Sequence, residues 1–200
     1  MYSPFVLGFK YLKYLFTASN GKGHGIHSPF VYDFIENVLN DRTKYPEYHT
    51  IEKLRSELLR SDKTIAVKDL GAGSSKNNGH NRKVADITKN AAKPRKYAQL
   101  LFRMVRYYRY TNIMELGTSL GITSAYLASA RKDVKLLSIE GSPEIAASAA
   151  SNFRQLGINN IELITGNFDD LLHDALAKSI NQDLVFFDGN HRLEPTMRYF

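Results

Sequence analysis

The spacing of apolar and polar positions divides this chain into a helical first part and an alternating strand–helix second part. Phe5, Phe9, Leu12 and Phe16 recur at helical spacing, with Lys10 and Lys13 on another side. That stripe suits an interfacial membrane helix or a helix packed on its parent domain, and the second is the expectation. Ser28-Pro29 marks a helix start, with Ser as cap and Pro at the first helical position. That helix is expected to run to about Leu39 and bury Phe30, Val31, Phe34 and Val38. A second helix is expected over Ile51–Arg60, with Ile51, Leu54, Leu58 and Leu59 inward. Arg82–Ala91 predicts a short helix. Arg95–Tyr108 predicts a longer one, with Leu100, Leu101, Met104, Val105 and Tyr108 facing in. From residue 112 the pattern changes. Four apolar runs read as strands, at 112–116, 134–140, 161–165 and 183–187. Helical stretches separate them: a small-residue run after Gly121, then about 142–156 and 168–178. Strands alternating with helices predict an α/β fold with a parallel sheet and right-handed crossovers.

The strand ends carry the candidate chemistry. The first strand runs through Glu115 and Leu116 into a loop, Gly117-Thr118-Ser119-Leu120-Gly121, and a helix follows at once. Glycine permits positive φ and close approach of the backbone to a ligand, and the helix start offers unpaired N–H groups. The second strand closes on Glu140, 19 residues after Gly121. In a parallel sheet this acid falls beside the glycine loop, at the carboxyl edge where such folds bind ligands. There it can accept both hydroxyls of a ribose. The third strand leads into Gly166-Asn167-Phe168-Asp169, and the fourth into Asp188-Gly189-Asn190-His191.

These four motifs, in this order and spacing, resemble class I S-adenosylmethionine-dependent methyltransferases. Within them the chain is most similar to small-molecule O-methyltransferases of the catechol O-methyltransferase type, over roughly residues 93–200. The resemblance implies a Rossmann-like parallel sheet with its strands in spatial order third, second, first, fourth. It implies that Gly117, Thr118, Ser119 and Gly121 line the methionine portion of S-adenosylmethionine. Glu140 would then hold the ribose, and Gly166, Asn167, Phe168 and Asp169 would border the adenine. Glu115 would support the loop or the cofactor's amino group. Asp188 stands where metal-dependent members bind a divalent cation such as Mg²⁺, which would acidify and orient a hydroxyl. His191 stands where those members carry a lysine base, and imidazole titrates near neutrality. Asp188 and His191 are therefore the catalytic candidates. The usual Asp-Ala-Asp-Lys has become Asp-Gly-Asn-His, which puts use of a metal in doubt.

An earlier glycine run, Asp69-Leu70-Gly71-Ala72-Gly73-Ser74, competes for the same role. The polar, turn-forming stretch 76–81 follows it rather than a helix, and a glycine signature counts only between strand and helix. It reads as a loop over the active site. His24 and His27 lack a third ligand nearby and read as loop-ordering groups. A dinucleotide site is disfavoured because Gly117 and Gly121 do not have the G-x-G-x-x-G spacing. A non-catalytic nucleotide-binding Rossmann protein stays open as an alternative.

Charge adds a second alternative. Residues 1–111 carry 20 Lys/Arg against 9 Asp/Glu, and residues 112–200 carry 7 against 11, within a net charge of +7. A basic first half is compatible with RNA or another polyanion as substrate, but the charges are scattered, as on a solvated helical face. The 200 residues contain no cysteine, which excludes disulfides and Cys-based zinc sites and fits a cytoplasmic protein. No run of 18 apolar residues predicts a membrane span. The expected organisation is thus a basic, mostly helical extension over 1–92 and an S-adenosylmethionine-binding domain over 93–200. That domain reads as C-terminally truncated, because four of seven strands are counted. An exposed fourth strand would favour a homodimer through the sheet edge, covering Phe186 and Phe187.

Overall fold

The computed structural model describes residues 9, 28–67, 81–178, 181–190 and 192–199. The chain divides into two compact units, Met1–Thr43 and Lys44–Phe200. In the first unit, helix α1 spans Pro29–Phe34 and continues into a π-helical turn, Ile35–Leu39. Ser28 caps α1 as its spelling requires, its Oγ accepting from the Val31 N–H at 3.4 Å. The inner face differs from expectation. Val38 is buried as expected and Ile35 joins it, whereas Phe30 and Val31 are exposed and Phe34 is half-buried. Most of the stripe at 4–17, together with His24 and His27, lies outside the described residues.

The second unit opens with α2 (Pro46–Leu59), five residues ahead of the expected start, with Pro46 in its first turn. Tyr48, Ile51 and Leu54 are buried, and Leu59, expected inward, is exposed. Two three-residue strands, β1 (Thr64–Ala66) and β2 (Asn81–Lys83), pair antiparallel. They are too short to show a period, so the sequence did not announce them. The competing glycine run at 69–74 lies outside the described residues.

Helices α3 (Val84–Ala91) and α4 (Arg95–Tyr108) follow. On α4 the fully buried positions are Ala98, Phe102 and Val105. Of the expected face only Val105 is among them, because the stripe is centred on Phe102, one residue round from Leu101. Phe102 packs against Tyr45, Tyr48 and Tyr126 at ring-centroid distances of 5.0, 5.0 and 6.4 Å. This aromatic cluster joins α2, α4 and the helix after the glycine loop. Arg109, in a left-handed conformation, ends α4.

The rest follows the predicted alternation: β3 (Asn112–Leu116), α5 (Ile122–Ser129), β4 (Lys135–Glu140), α6 (Pro143–Leu156), β5 (Ile161–Thr165), α7 (Phe168–Lys178), β6 (Leu184–Phe187) and α8 (Leu193–Tyr199). The four strands form one parallel sheet in the order β5-β4-β3-β6. This is the expected third, second, first, fourth. The order places β3 in the centre, where four of its five residues are buried. Side chains alternate across it. Ile113 joins the core shared with α2, α4 and α5, while Met114 and Leu116 join a core on the other face with Phe168 and Ala175. Helices therefore cover both faces, as a parallel sheet demands. Among the described residues no helix is long and apolar enough to cross a membrane.

Candidate functional site

Register brings the carboxyl ends of three strands level. Leu116 of β3 pairs with Ile139 of β4 and with Phe187 of β6. The ladder runs one step further, with Gly117 N–H donating to the Ile139 carbonyl at 2.9 Å and Asp188 N–H donating to Leu116 at 2.8 Å. The loop after β3 therefore starts between Glu140 and Asp188. Gly117 has φ +105°, and a Cβ there would lie 2.7 Å from the backbone carbon and oxygen of Asp188. Only glycine allows that approach. Gly121 has φ +80° and would drive a Cβ to 2.4 Å from the Phe153 ring. The first glycine thus serves contact with β6, and the second serves packing on α6. Asn152 pins the loop from α6, its Nδ2 donating to the Leu120 carbonyl at 2.9 Å.

Two carboxylates hold this loop in different ways. Glu140 accepts from Ser119 N–H at 2.8 Å through Oε2 and from Ser142 N–H at 3.0 Å through Oε1. It is half-buried. Glu115 is fully buried beneath the loop. Its Oε2 accepts from the hydroxyls of Ser124 and Ser138, the latter at 2.7 Å. Ser138 and Thr118 are joined hydroxyl to hydroxyl at 2.6 Å. Burial pushes the Glu115 carboxyl up to about 8. The two serine hydroxyls oppose that rise, and the charges of Asp188 and Glu140 add to it. Among the described residues Glu115 Oε1 is buried without a hydrogen-bond partner. Glu115 supports the loop from below and has no exposed surface.

Asp188 meets a cation. Its Oδ1 is 2.6 Å from Lys93 Nζ, with side-chain exposures of 10% for Asp188 and 33% for Lys93. Lys93 stands between α3 and α4, where the sequence showed only a helix start. No local spacing links it to a residue 95 positions on, so sequence reasoning missed it. Ser124 and Ser138 were missed for the same reason, since each becomes polar lining only through the fold. Asp188 lines a recess with Gly117, Ser119, Thr123, Thr88 and Ala91. The divalent ion expected at Asp188 does not fit the residues present. The ammonium competes for the same carboxylate oxygen, and no group of three His, Cys, Asp or Glu that could hold a metal occurs among the described residues. His191 lies outside the described residues.

The third motif is more closed than its sequence suggested. Gly166 N–H donates to the Glu140 carbonyl at 2.9 Å, which places the turn beside β4's end. Phe168 is buried, against Gly189 and edge-on to Tyr199 at 5.9 Å. Asn167 is half-buried, and Asp169 is exposed and paired with Arg198 at 3.2 Å.

Comparison with known proteins agrees with this architecture. Residues 114–200 match a family described as a methyltransferase domain. Over 83 residues the chain is 35% identical to the O-methyltransferase imqG of Aspergillus flavus, covering 38% of this chain and 34% of that protein. In three dimensions it is similar to the O-methyltransferase TomG of Streptomyces achromogenes, solved with S-adenosylmethionine: TM-score 0.50, 29% identity, 55% of this chain and 51% of that one. An O-methyltransferase of Bacillus cereus, solved with S-adenosylhomocysteine, superposes with TM-score 0.50 at 18% identity over 85% of this chain and 66% of its own, and so shares the fold. The matched part thus spans about a third of the fungal relative and half of the Streptomyces one. Residues 114–200 are similar in sequence to methyltransferase domains, and the parallel sheet is similar in fold to that of these solved structures.

Proposed function

We propose that this chain is the cofactor-binding part of an S-adenosylmethionine-dependent O-methyltransferase acting on a small molecule. The observation that carries the reading is the meeting of three strand ends. The loop 117–121, Glu140 and Asp188 adjoin through Ser119–Glu140 and Gly117–Asp188 contacts. In this reading Gly117, Thr118, Ser119 and Gly121 receive the methionine portion, Glu140 the ribose hydroxyls, and Gly166, Asn167 and Asp169 flank the adenine. Phe168 acts from beneath, through Gly189. Residues 93–200 are the binding domain, and 44–92 are an extension packed within the same unit. When bound, the cofactor supplies a sulfonium methyl group. The residues of the chain orient it and exclude water from it.

A polyanionic acceptor is the second reading, resting on the 20 Lys/Arg against 9 Asp/Glu of residues 1–111. Affinity falling steeply with salt would favour it. Self-association as a homodimer along β6, the outer strand of the described sheet, belongs to the proposal, as does a cytoplasmic location. Calorimetry with S-adenosylhomocysteine and with NADH tests the main reading. The first is expected to bind. Glu140→Ala is expected to weaken it by about 2–3 kcal/mol, the loss of a charged hydrogen-bond partner. Binding of NADH alone would overturn the assignment, and an unchanged affinity in Glu140→Ala would remove that residue from the site.

A further inference from the structure

We propose that the Lys93 ammonium is the resident cation of this site, standing on Asp188 in place of a divalent metal ion and holding the acceptor's oxygen beside the glycine loop. This inference rests on the methyltransferase reading for its substrate, and on the contacts of Lys93 for its geometry. Lys93 Nζ and Asp188 Oδ1 are 2.6 Å apart. An ammonium carries three donors, and Asp188 takes one of them. The backbone of Asp188 touches Gly117, the first residue of the loop, so the cation stands next to the place where the methyl group would be presented. The same ammonium lies 6.0 Å from the centre of the Phe186 ring, a further contact favourable to positive charge.

The lysine is also held in place from behind. Its carbonyl accepts from Arg55 Nη1 at 3.0 Å. Arg55 is fixed in turn by Glu52 at 3.0 Å, and Glu52 also accepts from the Tyr126 hydroxyl at 2.8 Å. Tyr126 belongs to α5, the helix that starts at the glycine loop. A relay from α5 through α2 therefore sets the position of Lys93, and Pro94 restricts the backbone before it. An exposed ion pair needs no such support and often contributes little. A cation whose job is to meet an oxygen at a defined point does need it. Fixed positive charge aimed at an oxygen that gains negative charge is the same electrostatic device a metal ion provides. Here it comes with one charge and no coordination sphere.

The test uses the full chain saturated with S-adenosylhomocysteine, with 4-nitrophenol as an acceptor-like probe whose absorbance reports its ionisation. Wild type is expected to bind the probe with its ionised form favoured. Lys93→Met should shift that ionisation by about ten- to a hundredfold, one to two pKa units, and Lys93→Arg should keep most of it because charge is retained. A merely structural tie would leave the spectrum unmoved. Circular dichroism establishes that each variant is folded. On the wild type alone, electron paramagnetic resonance with Mn²⁺ is expected to show no binding that Asp188→Asn removes. Asp188-dependent Mn²⁺ binding, no ionisation shift in wild type, or the same shift in Lys93→Met would each overturn the proposal while leaving the methyltransferase reading standing. Failure of S-adenosylhomocysteine to bind would instead overturn the reading beneath it.

Discussion

Beneath the glycine loop and along its rim, the same protein uses carboxyl groups in opposite ways. Below the loop, Glu115 is 0% exposed and bonded to hydroxyls, and its raised pKa leaves it mostly protonated at neutral pH. At the rim, Glu140 accepts two backbone N–H groups and Asp188 pairs with an ammonium. Burying an ion without a partner is costly. The floor avoids that cost by giving up charge, and the rim avoids it by pairing or by contact with water. In the proposed reading, a ligand bearing a sulfonium and an amino group would meet charge at the rim and a neutral support underneath. The difference separates residues that shape the loop from residues that can touch what it holds.

The largest expected effect falls where floor and rim touch. Gly117→Ala puts a Cβ 2.7 Å from the Asp188 backbone at φ +105°, and neither backbone can yield cheaply. A loss of about 3 kcal/mol or more in urea unfolding is expected. Gly157→Ala, also at positive φ but with nothing within 4 Å, should lose about 1 kcal/mol from backbone strain alone. Equal losses at the two sites would mean that the close approach at Gly117 is not what requires glycine.

Next comes Glu115→Gln, which tests the neutral floor. The carboxyl's native pKa, about 8, is raised above its ordinary 4.5. Between those values the native state keeps a proton that the unfolded chain releases. Stability from this group is therefore complete below about 4.5 and declines as pH rises toward 8. The variant has no such proton to hold, so its stability should be flatter than wild type over that window, as unfolding midpoints at several pH values would show. Parallel curves would mean that Glu115 is charged in the folded protein.

The smallest effect lies at the far end of the rim strand. Asp183 Oδ2 accepts from Thr111 N–H at 2.7 Å, Asn112 N–H at 2.9 Å and the Thr111 hydroxyl at 3.0 Å, tying the start of β6 to the start of β3. These bonds, that of the Asn112 N–H foremost, hold its carboxyl below the usual range. Its contribution is thus present at neutral pH and lost as pH falls through the lowered value. Because the group is exposed, Asp183→Asn should cost less than about 1 kcal/mol. A scan at pH 7 that matched wild type would show the tie to be redundant.

Much of the fold was legible from one dimension because its signals are local. Apolar runs of strand length, Gly117 and Gly121 between strand and helix, and acids at strand ends each depend on a few neighbouring residues. The sheet order followed once those runs resembled a known arrangement. Inner faces of helices were less legible. The stripe on α4 centres on Phe102, and in the first unit Ile35 joins the expected Val38 in burial while Phe30 and Val31 are exposed, because a small rotation of a helix leaves the sequence pattern almost unchanged.

What the sequence determined by itself was the alternation of strands and helices and the set of polar groups delivered to one sheet edge. Periodicity and turn chemistry act within a few residues, so they can be read before any folding is known. Which of those groups would be neutral, which paired, and by what partner was decided only in three dimensions. Lys93 reaches Asp188 across 95 residues of chain, and Ser124 and Ser138 become the floor under Glu115 only because α5 and β4 pack on β3. Burial and distance control charge, and both belong to the assembled core rather than to any stretch of it.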